Sequence, residues 1–169
     1  EEGRAAAQRS AWLDASDALR RAALLDSSYA STRFLLGSAL LALGDSTGAA
    51  AEFRAARDLD ALRFRASGEL QQVLFEVCAA HNVPVARVDS AFAAASPGGI
   101  IGRGLILEHL HPNIRGYALM AKAWATSIRE HALLSPSGRM GALLADGLWE
   151  ATAPITPFDA AIGAVKTAQ

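Results

Sequence analysis

At 169 residues, 51% apolar and 20% charged, the chain is long enough for one medium domain or two small ones and too apolar to be disordered. A net charge of −1, with scattered arginines and only Lys122 and Lys166 as lysines, excludes an electrostatic nucleic-acid surface. The single cysteine, Cys78, excludes an internal disulfide framework, no apolar run approaches the ~20 residues that span a bilayer, and nothing fixes a compartment.

The first third repeats itself. Ala15, Leu19, Ala22, Leu25 and Asp26 are matched by Ala49, Phe53, Ala56, Leu59 and Asp60, each at an offset of 34 residues. Between the two copies the spacing predicts a helix over 31–43, containing the pair Leu36-Gly37. The period, the Leu-Gly pair and the small–large–small series Ala49, Phe53, Ala56 resemble a tetratricopeptide repeat. One complete repeat is expected over about 30–63, preceded by the second helix of an earlier one. Each such unit buries its apolar face on a neighbour, so two units do not form a stable solenoid alone. The resemblance also implies a possible protein partner bound by the repeats.

Gly44-Asp45-Ser46 spells the opening of a nucleophile turn of the Gly-Asp-Ser-Leu type. A serine of that type follows a buried strand, whereas residues 34–43 carry helix periodicity. Gly44 therefore reads as a C-terminal cap and Asp45 or Ser46 as the N-cap of the next helix.

Beyond Asp60 the pattern changes. A helix is expected over about 69–81 with Leu70, Val73, Leu74 and Val77 on one face and Asn82 at its C-cap. Residues 83–88, Val-Pro-Val-Ala-Arg-Val, read as a strand, followed by a short helical turn over 91–95. Helix, strand and helix in this order predict one unit of a parallel sheet, whose neighbouring strands must come from outside the chain. Residues 96–104 form a glycine-rich loop without the strand-then-helix setting of a phosphate-binding motif.

The stretch Glu108-His109-Leu110-His111-Pro112-Asn113-Ile114-Arg115-Gly116-Tyr117 carries the chemistry. Pro112 biases His111 away from helical geometry, and Asn113 can cap the helix that follows, on which Tyr117, Met120, Ala121, Trp124 and Ile128 share one face. A carboxylate three residues before a histidine in a turn can hold one ring nitrogen and leave the other as a general base.

This block resembles the last motif of SGNH/GDSL hydrolases, Asp-x-x-His-Pro-Asn-x-x-Gly-Tyr, with Glu108 where the family has aspartate. The resemblance covers about residues 69–130. It implies a mostly α chain with an α/β portion: tetratricopeptide-like helices over 1–63, the C-terminal part of a flavodoxin-like parallel-sheet fold over 64–134, incomplete in this chain, and a helical tail over 135–169. It implies a serine esterase of bacterial type, with His111 as base, Glu108 as its orienter, and His109 and Asn113 as substrate-binding residues. The substrate would be a small ester or an acylated carbohydrate or lipid, with no cofactor. The family's serine, glycine and oxyanion asparagine have no counterpart here. The chain, which opens on Glu1, is therefore expected to be a fragment, inactive alone, whose nucleophile lies upstream. Two other readings stay open: a helical binding module with an inactive hydrolase-like scaffold, and a metal site at His109 and His111, which lie two apart.

Overall fold

The structure, a computed structural model, describes residues 1–62, 65–108, 110–134 and 156. The chain divides into two compact units, the first ending at Glu76 and the second beginning at Val77. Seven α-helices occur among the described residues: α1 (Glu2–Gln8), α2 (Trp12–Leu25), α3 (Ala30–Ala42), α4 (Ser46–Leu59), α5 (Gly68–Ala80), α6 (Val88–Ala94) and α7 (Ile114–Glu130). The expected helices of the 135–169 tail lie outside the described residues.

Small residues at helical spacing build the first unit. Ala15, Leu19 and Ala23 of α2, Leu36, Gly37, Ala39 and Leu40 of α3, and Ala49, Ala50 and Ala56 of α4 are buried. With so little side chain between them, the backbones of α3 and α4 approach closely and pack along their length. The approach is tightest at Gly37, where a Cβ would lie 2.9 Å from two ring carbons of Phe53 and 3.2 Å from the Ala49 carbonyl oxygen. The Phe53 ring in turn meets Phe34 at 5.5 Å between centroids, tilted by 50°, a geometry that favours ring quadrupoles. Arg33 bridges the same two helices through Glu52 at 3.1 Å.

Four helices end in one motif. Ser10, Gly44, Asn82 and Ala132 take positive φ (57°, 88°, 53° and 49°) just beyond α1, α3, α5 and α7. In each case that residue's N–H and the next one reach back to helix carbonyls: Gly44 to Leu41 and Asp45 to Leu40, Asn82 to Ala79 and Val83 to Cys78, with matching pairs after α1 and α7. These paired bonds satisfy carbonyls that the helix itself leaves open. Asn82 thus terminates α5, close to the expected boundary. The face of α5 carrying Leu70, Val73, Leu74 and Val77 is exposed rather than packed, and α5 has no buried residue.

The expected parallel-sheet portion of an SGNH fold is overturned. No β-strand occurs among the described residues; the sole β feature is an isolated antiparallel bridge between Ile106 and Pro112. Residues 83–87 adopt no regular structure, Val88 donates to the Ala86 carbonyl in an i→i+2 turn at 2.8 Å, and Val88 itself opens α6. The β-branched residues that suggested a strand express a preference for a pleated, half-buried surface. Without a neighbouring strand to accept its hydrogen bonds, and with Pro84 lacking a donor, the segment gains nothing from extending.

Candidate active site

The site is a hairpin-like turn joined to a long helix, all within the second unit. Its anchor is Leu105, whose side chain is fully buried. Such burial contributes on the order of 2 kcal/mol. The two limbs of the turn are tied by backbone bonds on either side of the Ile106–Pro112 bridge. Asn113 N donates to Leu105 O and Leu107 N to His111 O, both at 2.8 Å. Pro112 sits at the position between these two bonds, where no N–H is required, which is why proline is tolerated there. Leu105 N and Ile106 N both close on Gly102 O at 3.0 Å, so the glycine-rich loop enters the turn through a tight bend.

Glu108 folds back over its own turn. Its carboxylate accepts the amides of Leu110 at 3.0 Å and His111 at 2.9 Å. The same Oε1 that holds the His111 amide also meets His111 Nδ1. A carboxylate can only accept, so in the neutral imidazole this contact places the ring proton on Nδ1 and leaves the Nε2 lone pair unused. Nε2 has no partner among the described residues, and the His111 side chain is 65% exposed against 34% for Glu108. The arrangement matches what a general base needs: a fixed tautomer, an acceptor nitrogen open to a reacting group, and a carboxylate to steady the imidazolium once formed.

Helix α7 starts immediately after this turn. Asn113 is its N-cap, accepting from Gly116 N through Oδ1 at 3.0 Å, while its Nδ2 donates to the Arg103 carbonyl at 3.2 Å. Gly116 lies directly over the turn. A Cβ there would collide with the Leu105 carbonyl oxygen and stand 2.8 Å from Pro112 Cβ. The face of α7 turned inward runs through Gly116, Leu119, Met120, Ala123 and Ser127; of the expected set, Met120 and Ile128 are part-buried, whereas Tyr117, Ala121 and Trp124 are exposed. Tyr117 and Trp124 are half-exposed, at 49% and 50%. The close contact demanded by Gly116 sets the rotation of the helix and carries those two aromatic side chains outward.

Glu108 and His111 are therefore brought together. Asn113 is adjacent, with both ends of its carboxamide engaged in the scaffold. His109 lies outside the described residues. No three His, Cys, Asp or Glu side chains gather as a metal-binding set among the described residues. Gly44-Asp45-Ser46 is the turn between α3 and α4: Gly44 ends one helix, Asp45 caps the other by accepting Gly48 N at 2.8 Å, and Ser46 is its first residue.

Sequence reasoning missed the two amides held by Glu108 and the collision that makes position 116 glycine. The first had a signal, since a carboxylate followed at two and three residues by free amides in a turn commonly caps them. No protein-family model matches the chain, and no curated protein and no solved structure matches it. No helix among the described residues is long and apolar enough to cross a membrane.

Proposed function

We propose that this chain contributes the carboxylate–histidine end of the catalytic site of a serine ester hydrolase, resembling SGNH/GDSL enzymes in its chemistry. His111 is the general base and Glu108 its orienter. The nucleophile is a serine that this turn does not itself contain, and the substrate is a small ester or an acylated carbohydrate or lipid. The observation that carries the reading is the bond from His111 Nδ1 to Glu108 Oε1, with Nε2 left open. The reading concerns the turn and requires no parallel sheet from this chain.

In the proposed step Nε2 takes the proton of a serine hydroxyl as its oxygen attacks the ester carbonyl, giving an acyl-enzyme. The imidazolium, stabilised by Glu108, then returns the proton to the leaving alcohol. The chain alone has no turnover. In the protein that carries the nucleophile, p-nitrophenyl acetate hydrolysis is expected to fall on the order of 10³-fold in kcat for His111→Ala. Full activity in that variant overturns the reading.

A second reading has its own support. Leu24, Leu25, Tyr29 and Phe34 are exposed apolar side chains on and between α2 and α3. They suit a helical module that binds a protein, with the histidine turn as an inactive scaffold. The same His111→Ala measurement separates the two, because a binding module has no hydrolysis to lose.

A further inference from the structure

We propose that Asn113 is a positioning residue for His111, acting through the carbonyl of Arg103; the role rests on the reading of His111 as a base. The His111 side chain stands largely in water and that of Glu108 is about one-third exposed, so water competes for their mutual bond. The backbone that carries the pair sets where the two side chains meet. That backbone is a two-rung ladder, Leu107 to His111 and Leu105 to Asn113.

In a continuing antiparallel ladder the next rung would join Arg103 to residue 115. It cannot form, because Arg115 already lies in the first turn of α7. The Asn113 carboxamide replaces it. Nδ2 donates to Arg103 O from one side of the turn's base, and Oδ1 receives Gly116 N from the other. One side chain thus ties the glycine-rich loop, the histidine turn and the start of α7 together, two residues from the imidazole. Gly99, Gly102 and Gly104 have open space where a Cβ would stand, so side-chain packing at those positions does not hold the loop. The Asn113 clasp supplies that restraint.

The test is NMR on the 169-residue chain labelled with ¹⁵N-histidine, the His111 ring signal being assigned by its loss in His111→Ala. The wild-type ring is expected to show the Nδ1–H tautomer. Asn113→Asp and the neutral Asn113→Ser both keep an oxygen for Gly116 N–H and lack the Nδ2 donor. Both are expected to retain the amide signals of α7 while the ring reverts to the tautomer mixture of free histidine. A wild-type ring signature surviving in both variants overturns the positioning role. Should either variant unwind α7, the wild-type chain still decides: the Asn113 Nδ2 protons are expected to be protected from solvent exchange, and exchange at the rate of free asparagine overturns the proposal. A ring signature unmoved by Glu108→Gln would instead overturn the underlying carboxylate–histidine reading, so the two failures are distinguishable.

Discussion

The two described regions hold themselves together by different means. In the α2–α4 helices, cohesion comes from shape: alanines and one glycine let backbones approach until an aromatic ring fills the remaining gap. Around the histidine turn, cohesion comes from hydrogen bonds laid across a short ladder, with a single fully buried large side chain, Leu105, beneath it. The first arrangement tolerates changes in polar groups and punishes changes in volume. The second punishes the loss of particular donors and acceptors, and any atom inserted at its one close contact. A region built the second way suits the presentation of a reactive side chain, because polar atoms fix direction better than packed hydrocarbon does.

The largest expected effect lies where both principles meet. Gly116→Ala adds a Cβ against the Leu105 carbonyl and Pro112. Neither is the flexible end of a side chain, so α7 must shift away from the turn. A loss of about 3 kcal/mol is expected despite the helix propensity gained, the upper range for overpacking. Urea unfolding measures it, and the His111 ring signal should change in parallel. Unchanged stability would show that the turn is softer than its geometry.

Gly37→Ala makes the corresponding insertion in the helical region, with a smaller expected cost of about 1 kcal/mol. Here the nearest atoms are those of the Phe53 ring, which can rotate aside, and the Ala49 carbonyl oxygen at 3.2 Å is a milder obstacle. Phe53→Leu should relieve the clash, so the double variant is expected to be more stable than the sum of the single effects predicts. Strict additivity would mean that the close approach of α3 and α4 is not what makes position 37 sensitive.

These contrasts account for what could be read from residues alone. Helices defined by spacing and caps were legible: the expected span 31–43 is α3 at 30–42, and the span 69–81 is α5 at 68–80. Caps act locally, so Gly44, Asp45, Asn82 and Asn113 announce their roles within a few residues. The Glu108–His111 contact was legible for the same reason, since three residues of a turn contain it. The strand over 83–88 was misread because a strand is defined by a partner, and a partner is not a local property. The inward face of α7 was read in part: Met120 and Ile128 are part-buried as expected, but apolar pattern also gave Tyr117 and Trp124 the inside, whereas the collision at Gly116 decides the rotation. The burial of Leu105 beneath the turn likewise depends on contacts across the chain.

Below these effects comes a cap that separates the Gly-Asp-Ser turn from catalysis. Asp45→Ala removes the side-chain oxygen that holds Gly48 N–H and is expected to cost about 1 kcal/mol of stability. On the proposed reading, Ser46→Ala is expected to leave ester hydrolysis unchanged, since Ser46 is only the first residue of a helix. Loss of hydrolysis in Ser46→Ala, with stability intact, would restore that serine as the nucleophile and break the contrast between a structural first unit and a chemical second one.

The smallest effect is electrostatic and falls in the second unit. Arg87 grips Asp89 through two bonds, Nε to Oδ1 at 2.9 Å and Nη2 to Oδ2 at 2.7 Å, at the start of α6. The guanidinium's hydrogen bond holds the Asp89 carboxyl below the usual carboxylate range. The folded value being depressed, the stabilisation is present above the ordinary aspartate value of about 3.9 and is lost as pH falls through the lower folded value. Both side chains are well exposed, at 52% and 36%, so the bond contributes below about 1 kcal/mol. Asp89→Asn should therefore lower stability slightly at neutral pH, and the gap to wild type should close in acid. Salt should close it at neutral pH as well, because screening weakens an exposed pair. A gap that persists unchanged in acid would assign the role of Asp89 to helix capping geometry rather than charge, bringing even this contact under the rule that governs the histidine turn.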